Sequence, residues 1–468
     1  MGRAADVWYF SQLQFLTCKE ICRSFSGDKD NPQMKHRRRT ETVVAAAVSS
    51  SPPGESEVKA TGIATSLVPS FPSATATEAA YTQHMGPSMA RLMAAIGTPI
   101  HYGKRQGARV QDAYTGKWYW DCHRNGSLYN LGHRNPEVLE AVGQAMRQLE
   151  IGNLFLCSGH KAAAAGKLVA STGGALTGVT FAASGSEANE VAIRAARGFT
   201  RRRKLVSLKG SYHGSSCFAM AAGDSPDLHQ RYLLDFPDFI KVPNNDVAAL
   251  RAVVDKETAC VLIEASPAQL GFPVPEPGYF DAVRKICDDN GAVFILDEVQ
   301  TGLGSSGRFW LWQQQGVAPD IMTTAKGLGG GIMPNAALLM APAIKDWFLD
   351  TEFPHMSTFG GNELGCVATS SVCDITSRPD FSNNVLRLIE QFREGFANAP
   401  FRVNQVGLCM GLLSESMDSF EMTRKLFAAG VLVLPAHYEP RAIEFRPVLI
   451  LDENEAESII RVVRDVLG

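Results

Sequence analysis

The sequence predicts an α/β fold, with a large domain built on a mostly parallel sheet flanked by helices and a smaller α+β domain. Between Val179 and Ala325, short apolar runs typical of buried strands alternate with amphipathic segments typical of helices, a pattern that favours a parallel sheet covered by helices. Residues 376–468 return to shorter, mixed elements. At 468 residues the chain also exceeds the usual size of one hydrophobic core, so more than one domain is expected.

Individual elements follow from the spacing of apolar residues. The predicted strands of the large domain are VTFAAS, KLVSL, CVLIEA, AVFILDE and IMTTAK. Helices are predicted over EANEVAIRAARGF, YFDAVRKICDD and, at the end of the chain, EAESIIRVVRDVL. The segment DAYTGKWYWD predicts a hairpin that turns at Thr115 and Gly116, followed by a helix over PEVLEAVGQAMRQL.

Four segments result from these patterns. Residues 1–80 carry a basic cluster and then a tract rich in Ser, Ala, Thr and Pro, so we expect an N-terminal extension that is poorly ordered or serves as a targeting peptide. Residues 81–150 are expected to contribute to the small domain. Residues 151–375 should form the large domain, and residues 376–468 should complete the small one.

Composition excludes several classes of function. A net charge of −3 argues against nucleic-acid binding driven by electrostatics, and no uncharged apolar run is long enough to suggest a membrane span. The ten cysteines include no paired CxxC elements, and no histidines stand at zinc spacing, so no metal site is expected. Reduced thiols fit the cytoplasm, and import into an organelle through the N-terminal extension is the alternative.

The segment SGSEANE joins a predicted strand to a predicted helix. Gly185 and Ser186 are small, so backbone N–H groups can approach a ligand closely there, and a helix N-terminus favours an anion. The segment therefore predicts a phosphate site. A serine cap followed by a glutamate in the first turn is equally typical of any well-capped helix, so this segment alone leaves both interpretations open.

Two further polar residues follow predicted strands. Asp297 ends AVFILDE, and a carboxylate at the C-terminal end of a parallel strand lies where open α/β sheets bind ligands. Lys326 follows IMTTA and precedes a glycine-rich turn, where a desolvated amine is a usable nucleophile for an aldehyde. Taken singly, Asp297 is also compatible with a turn residue and Lys326 with a solvated lysine.

Tyr212 in GSYHG lies at the end of another predicted strand. Its ring can stack on a flat heteroaromatic cofactor. A lone tyrosine in such a place is more often a core aromatic, so Tyr212 supports a cofactor site only in combination with the other motifs.

The order and spacing of five motifs resemble class III aminotransferases. The motifs are SGSEANEVAIRAAR, SYHG, DEVQTGLG, AKGLGGG and STFGGN. The resemblance covers nearly the whole chain after the extension, from DAYTGKWYWD to the C-terminal RPVLIL. It implies the type I fold of pyridoxal-phosphate enzymes, with residues 151–375 as the cofactor-binding domain, and a homodimer with active sites at the subunit interface.

The same resemblance implies roles for single residues. Lys326 matches the catalytic lysine that binds pyridoxal 5'-phosphate as an aldimine, a Schiff base. Asp297 matches the catalytic carboxylate that keeps the pyridine nitrogen protonated. Gly185 and Ser186 match the phosphate loop, and Tyr212 matches the aromatic that stacks on the ring. Gln300 matches the contact to the phenolic oxygen, and Thr358 matches the threonine that reaches the neighbouring subunit's phosphate.

The implied activity is transamination between small molecules. An amino group would pass from an amine or amino acid donor to an oxo acid or aldehyde acceptor, with Lys326 moving a proton after its displacement. One alternative is an aminomutase resembling glutamate-1-semialdehyde aminomutase, because the succession of residues in RAARGFTRRRKLVSLKGSYHG is similar. A decarboxylating transaminase is another.

The positions expected to meet the substrate depart from the family pattern. Gln269 stands where the family often has a glutamate, and Glu444 stands where many members have an arginine that clamps the substrate α-carboxylate. Arg446 lies two residues on, on the same face of an extended strand, and can partly replace that arginine. Ser305 also replaces a family arginine. These differences favour a specialised amine, an ω-amino acid or a less common carbonyl acceptor over an ordinary α-amino acid.

Overall fold

The computed structural model describes residues 71–97, 100–152 and 156–468. These described residues all belong to one compact unit. The predicted extension over residues 1–80 lies outside the described residues as far as residue 70. Within the described part of that segment, Ser73 caps a helix that begins at Ala74 and accepts a hydrogen bond from the backbone N–H of Ala76 at 3.2 Å.

Fifteen helices of regular geometry lie within the described residues. They are α1 (Ala74–Met85), α2 (Ser88–Ala95), α3 (Pro136–Ala145), α4 (Gly159–Ser171), α5 (Gly185–Thr200), α6 (Cys217–Ala222), α7 (Pro226–Tyr232), α8 (Val247–Val253), α9 (Tyr279–Asn290), α10 (Trp312–Gln315), α11 (Pro342–Leu349), α12 (Glu363–Thr376), α13 (Pro379–Phe396), α14 (Ser419–Ala428) and α15 (Glu453–Leu467). Single 3-10 turns cover Ala268–Leu270 and Lys326–Gly329.

Three sheets are formed by the fifteen strands of the described residues. The strands are β1 (Tyr102–Gln106), β2 (Arg109–Asp112), β3 (Trp118–Asp121), β4 (Gly178–Ala182), β5 (Lys204–Leu208), β6 (Phe239–Val242), β7 (Thr258–Glu264), β8 (Val293–Asp297), β9 (Ile321–Thr324), β10 (Ala336–Met340), β11 (Arg402–Val406), β12 (Cys409–Leu413), β13 (Val431–Leu432), β14 (Leu434–Pro435) and β15 (Ala442–Phe445).

The central sheet has seven strands in the order β4-β10-β9-β8-β7-β5-β6. Strand β10 runs antiparallel to both of its neighbours, whereas β9, β8, β7, β5 and β6 pair in parallel. The predicted, mostly parallel sheet is therefore confirmed. Its register places Glu264 beside Asp297 and Asp297 beside Thr323, so the carboxyl ends of three strands meet at one edge.

The two smaller sheets have four strands each. One has the order β1-β2-β3-β13, and it contains the hairpin predicted at Thr115 and Gly116. Its last strand comes from the C-terminal part of the chain, with Val431 beside Trp120. The other sheet has the order β11-β12-β15-β14 and carries Glu444 on β15.

Helix α5 shows how local sequence positions a functional segment. The side chain of Ser184 accepts a hydrogen bond from the backbone N–H of Glu187 at 3.2 Å, a type of cap that typically contributes about 0.5 to 2 kcal/mol. Val191 and Ile193 are fully buried on this helix and belong to a core cluster with strand residues such as Leu262. The helix is thus fixed against the sheet, with its N-terminus at the carboxyl edge.

The described residues were searched for membrane-spanning helices and for metal sites, and neither was found. None of the helices in the described residues is long and apolar enough to cross a membrane. The same residues contain no group of three or more His, Cys, Asp or Glu side chains arranged to hold a metal ion.

Candidate active site

A cavity of about 330 Å³ lies at the carboxyl edge of the central sheet. Its walls come from the turn after β4, the loop after β5, the ends of β7 and β8, and the turn after β9. The cavity brings together Gly185, Ser186, Tyr212, Asp297, Gln300 and Lys326, which are six of the residues singled out from the sequence. Parallel pairing explains this convergence, because it collects the carboxyl ends of strands that are distant in sequence.

Lys326 is a partly buried amine in a left-handed backbone conformation, with φ of 51°. Burial and, to a smaller extent, the positive charge of Arg446 lower its pKa from 10.5 to about 8, although Asp297 and Glu264 act in the opposite direction. At neutral pH about a tenth of such an amine is uncharged, far more than for a solvated lysine. Lys326 is therefore prepared to act as a nucleophile and as a proton carrier.

Asp297 is held in one orientation by its neighbours. Its Oδ2 accepts hydrogen bonds from Asn189 Nδ2 at 2.8 Å and from His213 Nδ1 at 2.9 Å, and its Oδ1 accepts one from the backbone N–H of Val299 at 3.0 Å. The hydroxyl of Thr323 donates to Asn189 Oδ1 at 2.8 Å, which fixes the orientation of that amide. The carboxylate is thus pre-oriented before any ligand binds.

Two members of this network were missed from the sequence. His213 belongs to GSYHG, where the tyrosine drew attention, yet its side chain is completely buried against Asp297. Asn189 lies three residues after Ser186 on α5 and is 1% exposed. Helical spacing places Asn189 about one turn after Ser186, on the same face of the helix. An amide on the face that carries the predicted phosphate site was therefore the signal by which Asn189 could have been found.

Glu264 is a second buried carboxyl beside Asp297. It lies directly across from Asp297 on the neighbouring parallel strand, and burial raises its pKa to about 7. It accepts a hydrogen bond from the backbone N–H of Tyr212 at 2.8 Å. Glu264 therefore fixes the loop that carries the Tyr212 ring, which is 40% exposed and lines the cavity.

The N-terminus of α5 forms another wall of the cavity. Its first backbone N–H groups have no partner within the helix, which suits an anion. A Cβ added to Gly185 would lie 3.2 Å from Val299 and 3.3 Å from Ala325, so a side chain would crowd this wall. Ser186 Oγ accepts hydrogen bonds from the backbone of Ser215 at 3.0 Å and of Ser216 at 2.9 Å, which fixes the wall in place. The residues present therefore fit a ligand with an anionic group and a reactive carbonyl near Lys326.

Gln300 connects the cavity to a buried ion pair. Its Oε1 accepts a hydrogen bond from Arg446 Nη1, and Arg446 Nη2 bonds to Glu444 Oε2. Burial raises the pKa of Glu444, but the charge of Arg446 together with the hydrogen bond and charge of His123 outweighs burial, so the net pKa is lowered. The Arg446 guanidinium lies 5.2 Å from the Phe272 ring, and the side chain is 1% exposed. Because Glu444 and Gln300 occupy its terminal nitrogens, Arg446 is not a free carboxylate clamp in this arrangement.

Gln269 and Thr358 are not among the described residues that line the cavity. Gln269 is half-buried, and its backbone carbonyl accepts a hydrogen bond from the N–H of Tyr438 at 2.8 Å. Thr358 is exposed on the surface of the chain. A single subunit therefore does not bring either side chain to the cavity.

Ser305 contacts a guanidinium that comes from another segment. Arg124 Nη1 donates to Ser305 Oγ at 3.5 Å and to Asn130 Oδ1 at 2.9 Å. Arg124 is fully buried, and burial lowers its pKa to about 10, so it remains charged at neutral pH. The position where the resemblance implies an arginine is thus reached by an arginine 181 residues earlier in the chain.

Known proteins resemble the chain in sequence over most of its length. The family model for aminotransferase class-III matches residues 93–467. An uncharacterized aminotransferase from Archaeoglobus fulgidus is 36% identical over 399 residues, which cover 81% of this chain and 91% of the relative. An acetylornithine aminotransferase from Caldanaerobacter subterraneus subsp. tengcongensis is 34% identical over 385 residues, covering 79% of this chain and 95% of the relative.

Solved structures show the same fold. The ornithine aminotransferase of Toxoplasma gondii ME49 aligns with a TM-score of 0.78 at 23% identity, over 85% of this chain and 96% of that protein. The taurine:2-oxoglutarate aminotransferase of Bifidobacterium kashiwanohense, determined in complex with PLP and glutamate, aligns with a TM-score of 0.71 at 26% identity, over 79% of this chain and 93% of that protein. The predicted type I fold of pyridoxal-phosphate enzymes is confirmed.

Sequence and fold lead to one family. The family match extends from residue 93 to the penultimate residue, and both relatives exceed 30% identity over about four-fifths of the chain. The predictions of a pyridoxal-phosphate cofactor and of small-molecule substrates agree with this match. The chain belongs to the class III aminotransferases and is a pyridoxal-phosphate-dependent transaminase.

Proposed function

We propose that Lys326 is the lysine that binds pyridoxal phosphate in this transaminase and that Asp297 is the carboxylate facing the pyridine nitrogen. One observation carries the proposal: the amine, the oriented carboxylate and the N-terminus of α5 all line the same cavity. Gly185 and Ser186 would hold the phosphate, Tyr212 would contact the ring, and Gln300 would contact the phenolic oxygen. The fit of Gly185 against Val299 and Ala325 supports this placement of the anionic end.

Lys326 and Asp297 have separate tasks in the proposed amino transfer. When bound, pyridoxal phosphate supplies an aldehyde for the amine and a ring that withdraws electrons. Lys326 holds the cofactor and then carries the proton that leaves the substrate carbon, a task for which a pKa of about 8 is well matched near neutral pH. Asp297, oriented by Asn189 and His213, holds a proton on the ring nitrogen.

Chemical trapping tests the assignment of Lys326. Borohydride reduction of the cofactor-loaded protein permanently attaches the cofactor to the lysine that holds it. We expect peptide mass spectrometry to find the added mass on the peptide that contains Lys326. The exposed Lys285, paired with Asp289, is a control within the same sample and should stay unmodified. Cofactor mass on a lysine other than Lys326 would contradict the proposal.

We further propose a homodimer in which Thr358 reaches the phosphate site of the partner subunit. Thr358 is exposed in the single chain, and Met356 and Phe359 of the same segment are 60% and 52% exposed. Large apolar side chains exposed in one segment are typical of a surface that another subunit covers. Closed twofold dimers are also the commonest soluble assembly.

Mixing two defective variants tests this dimer. Lys326→Ala and Thr358→Ala subunits, each weak alone, would form mixed dimers in which one site carries both changes and the other carries none. After unfolding and refolding an equal mixture, we expect activity near about a quarter of the parent value, since half of the dimers are mixed and each has one intact site. If both residues act within one subunit, the mixture gains no activity over the average of the two variants.

The substrates of the enzyme are small molecules, and we propose that Glu444 and Arg446 border the substrate end of the site through the contact of Arg446 with Gln300. A substrate role for Gln269, whose side chain lies outside the cavity, stays a prediction. The ion pair of Glu444 and Arg446 supports a donor that does not need a free guanidinium beside the reacting nitrogen. This favours a specialised amine or an ω-amino acid as donor, with an oxo acid or aldehyde as acceptor.

We also propose the predicted division of the chain. Residues 151–375 would form the large domain, and residues 81–150 and 376–468 would form the small one, which the pairing of β13 with β3 supports. Residues 1–80 remain the predicted extension. The cytoplasm is the proposed compartment, supported by the scattered, unpaired cysteine pattern, with organelle import as the alternative.

A further inference from the structure

The turn that follows β3 has an unusual backbone. Arg124, Asn125, Gly126 and Ser127 have φ values of +52°, +44°, +70° and +77°, so all four lie in the left-handed region. Non-glycine residues seldom adopt this conformation, and three in one turn persist only where surrounding contacts hold them. Backbone strain of this kind concentrates at functional sites.

Two side chains, those of Asp121 and Arg124, hold the turn in this conformation. Asp121 Oδ1 accepts hydrogen bonds from the backbone N–H groups of His123 at 3.0 Å and Arg124 at 2.8 Å. The buried Arg124 guanidinium donates to Asn130 Oδ1 at 2.9 Å and to the carbonyl of Leu408 at 3.2 Å. The turn is therefore attached to the C-terminal part of the chain as well as to the strand before it.

The turn passes directly beside the Lys326 amine. A Cβ built on Gly126 would lie 3.4 Å from Lys326 Nζ, 3.6 Å from its Cε and 3.9 Å from Gln300 Oε1. These are ordinary van der Waals distances, so one methyl group would fill the remaining space. The nitrogen of an amine substrate must replace Nζ at the same reacting carbon, so the carbon attached to that nitrogen has to pass close to Gly126.

We propose that Gly126 is a specificity-determining residue that limits the size of the groups on the substrate carbon bearing the reacting nitrogen. The inference rests on the proposed role of Lys326. Gly126 leaves room for an amine on an unbranched CH2 carbon and little room for branching on the side that faces the turn. Arg124 is the positioning residue that keeps this wall in place.

A matched pair of variants separates this role from backbone strain. Gly126→Ala adds a methyl group beside Nζ, whereas Gly116→Ala adds one at nearly the same φ, +72°, in an exposed turn where the nearest atom is Gln111 Nε2 at 3.8 Å. Because the two glycines have nearly the same φ, we expect similar conformational penalties for both changes. Only the first should change the surroundings of Lys326.

The first readout needs no cofactor. Apo-protein is treated with formaldehyde and cyanoborohydride, and methylation of Lys326 is followed by peptide mass spectrometry relative to the exposed Lys285. We expect Gly126→Ala to slow the modification of Lys326 and Gly116→Ala to leave it unchanged. Equal modification in the two variants would overturn the proposal. Because this readout does not depend on which lysine binds the cofactor, borohydride trapping can fail while this test succeeds.

The second readout is the choice of substrate. The kcat/KM values are compared for two amine donors that differ by one methyl group on the reacting carbon. We expect Gly126→Ala to lower the value for the branched donor by about 10-fold or more relative to the unbranched donor, as one excess methyl group does in a tight pocket. Equal losses for both donors would show a merely structural role and overturn the proposal. If Gly126→Ala fails to fold by near-ultraviolet circular dichroism, the parent protein supplies the measurement: we expect a lower kcat/KM for the branched donor than for the unbranched one, and equal values would overturn the proposal.

Discussion

Lys326→Ala is expected to abolish transamination, with kcat falling by about 10⁴-fold or more, the upper end of what one general acid-base group contributes. The alanine removes the proposed attachment point of the cofactor and the proposed proton carrier, while the cavity keeps the residues proposed to contact the phosphate and the ring. Steady-state assays of donor consumption measure the loss. Absorbance titration with pyridoxal phosphate should at the same time show no visible adduct.

Lys285→Ala is the control for this change. Lys285 is exposed and pairs with Asp289 four residues further along α9, so its loss should leave kcat near the parent value. Circular dichroism should give both variants the spectrum of the parent chain. A Lys326→Ala protein that still forms the visible adduct as readily as the parent would exclude Lys326 as the attachment point.

Asp297→Asn is expected to lower kcat by about 10²-fold to 10³-fold, the range typical of losing one oriented electrostatic contact to the reacting group. The amide keeps the size of the side chain but removes the negative charge that Asn189 and His213 orient. The ring nitrogen should then lose its proton more readily, and the cofactor should withdraw electrons less strongly. Kinetics at saturating cofactor separates this effect from weaker cofactor binding.

Asp289→Asn is the matched control because it makes the same chemical change at an exposed carboxylate. Its kcat should match that of the parent. Asp297→Glu adds a second comparison, since it keeps the charge but moves it by one methylene group, and we expect an intermediate loss. An Asp297→Asn protein with more than about a tenth of the parent kcat would contradict the proposed contact.

The central sheet could be predicted because its strands carry their signal locally. Runs such as AVFILDE and IMTTAK are apolar throughout, as strands buried on both faces must be. Asp297 and Lys326 end such runs, so parallel pairing alone brings them to the same edge of the sheet. The contact between Glu444 and Arg446 could be partly predicted for a similar reason, since residues two apart on a strand share a face.

Contacts between distant segments were beyond the reach of local patterns. The bond from His213 to Asp297 joins residues 84 apart, and the bond from Arg124 to Leu408 joins residues 284 apart. From the sequence, Arg124 is expected to be a surface residue after a strand, because its neighbours in sequence do not indicate that its guanidinium is buried. The positive φ values of the turn around it are also a product of tertiary contacts, since only one of its four residues is glycine.

The pairing of β13 with β3 has a consequence for synthesis of the chain. Trp120 leaves the ribosome about 310 residues before Val431, which corresponds to roughly 15 to 60 s of translation at ordinary elongation rates. During that interval the N-terminal hairpin has an uncovered edge that can pair with another nascent chain. The edge of the hairpin at Trp120 therefore stays open to wrong pairing until Val431 has been synthesised.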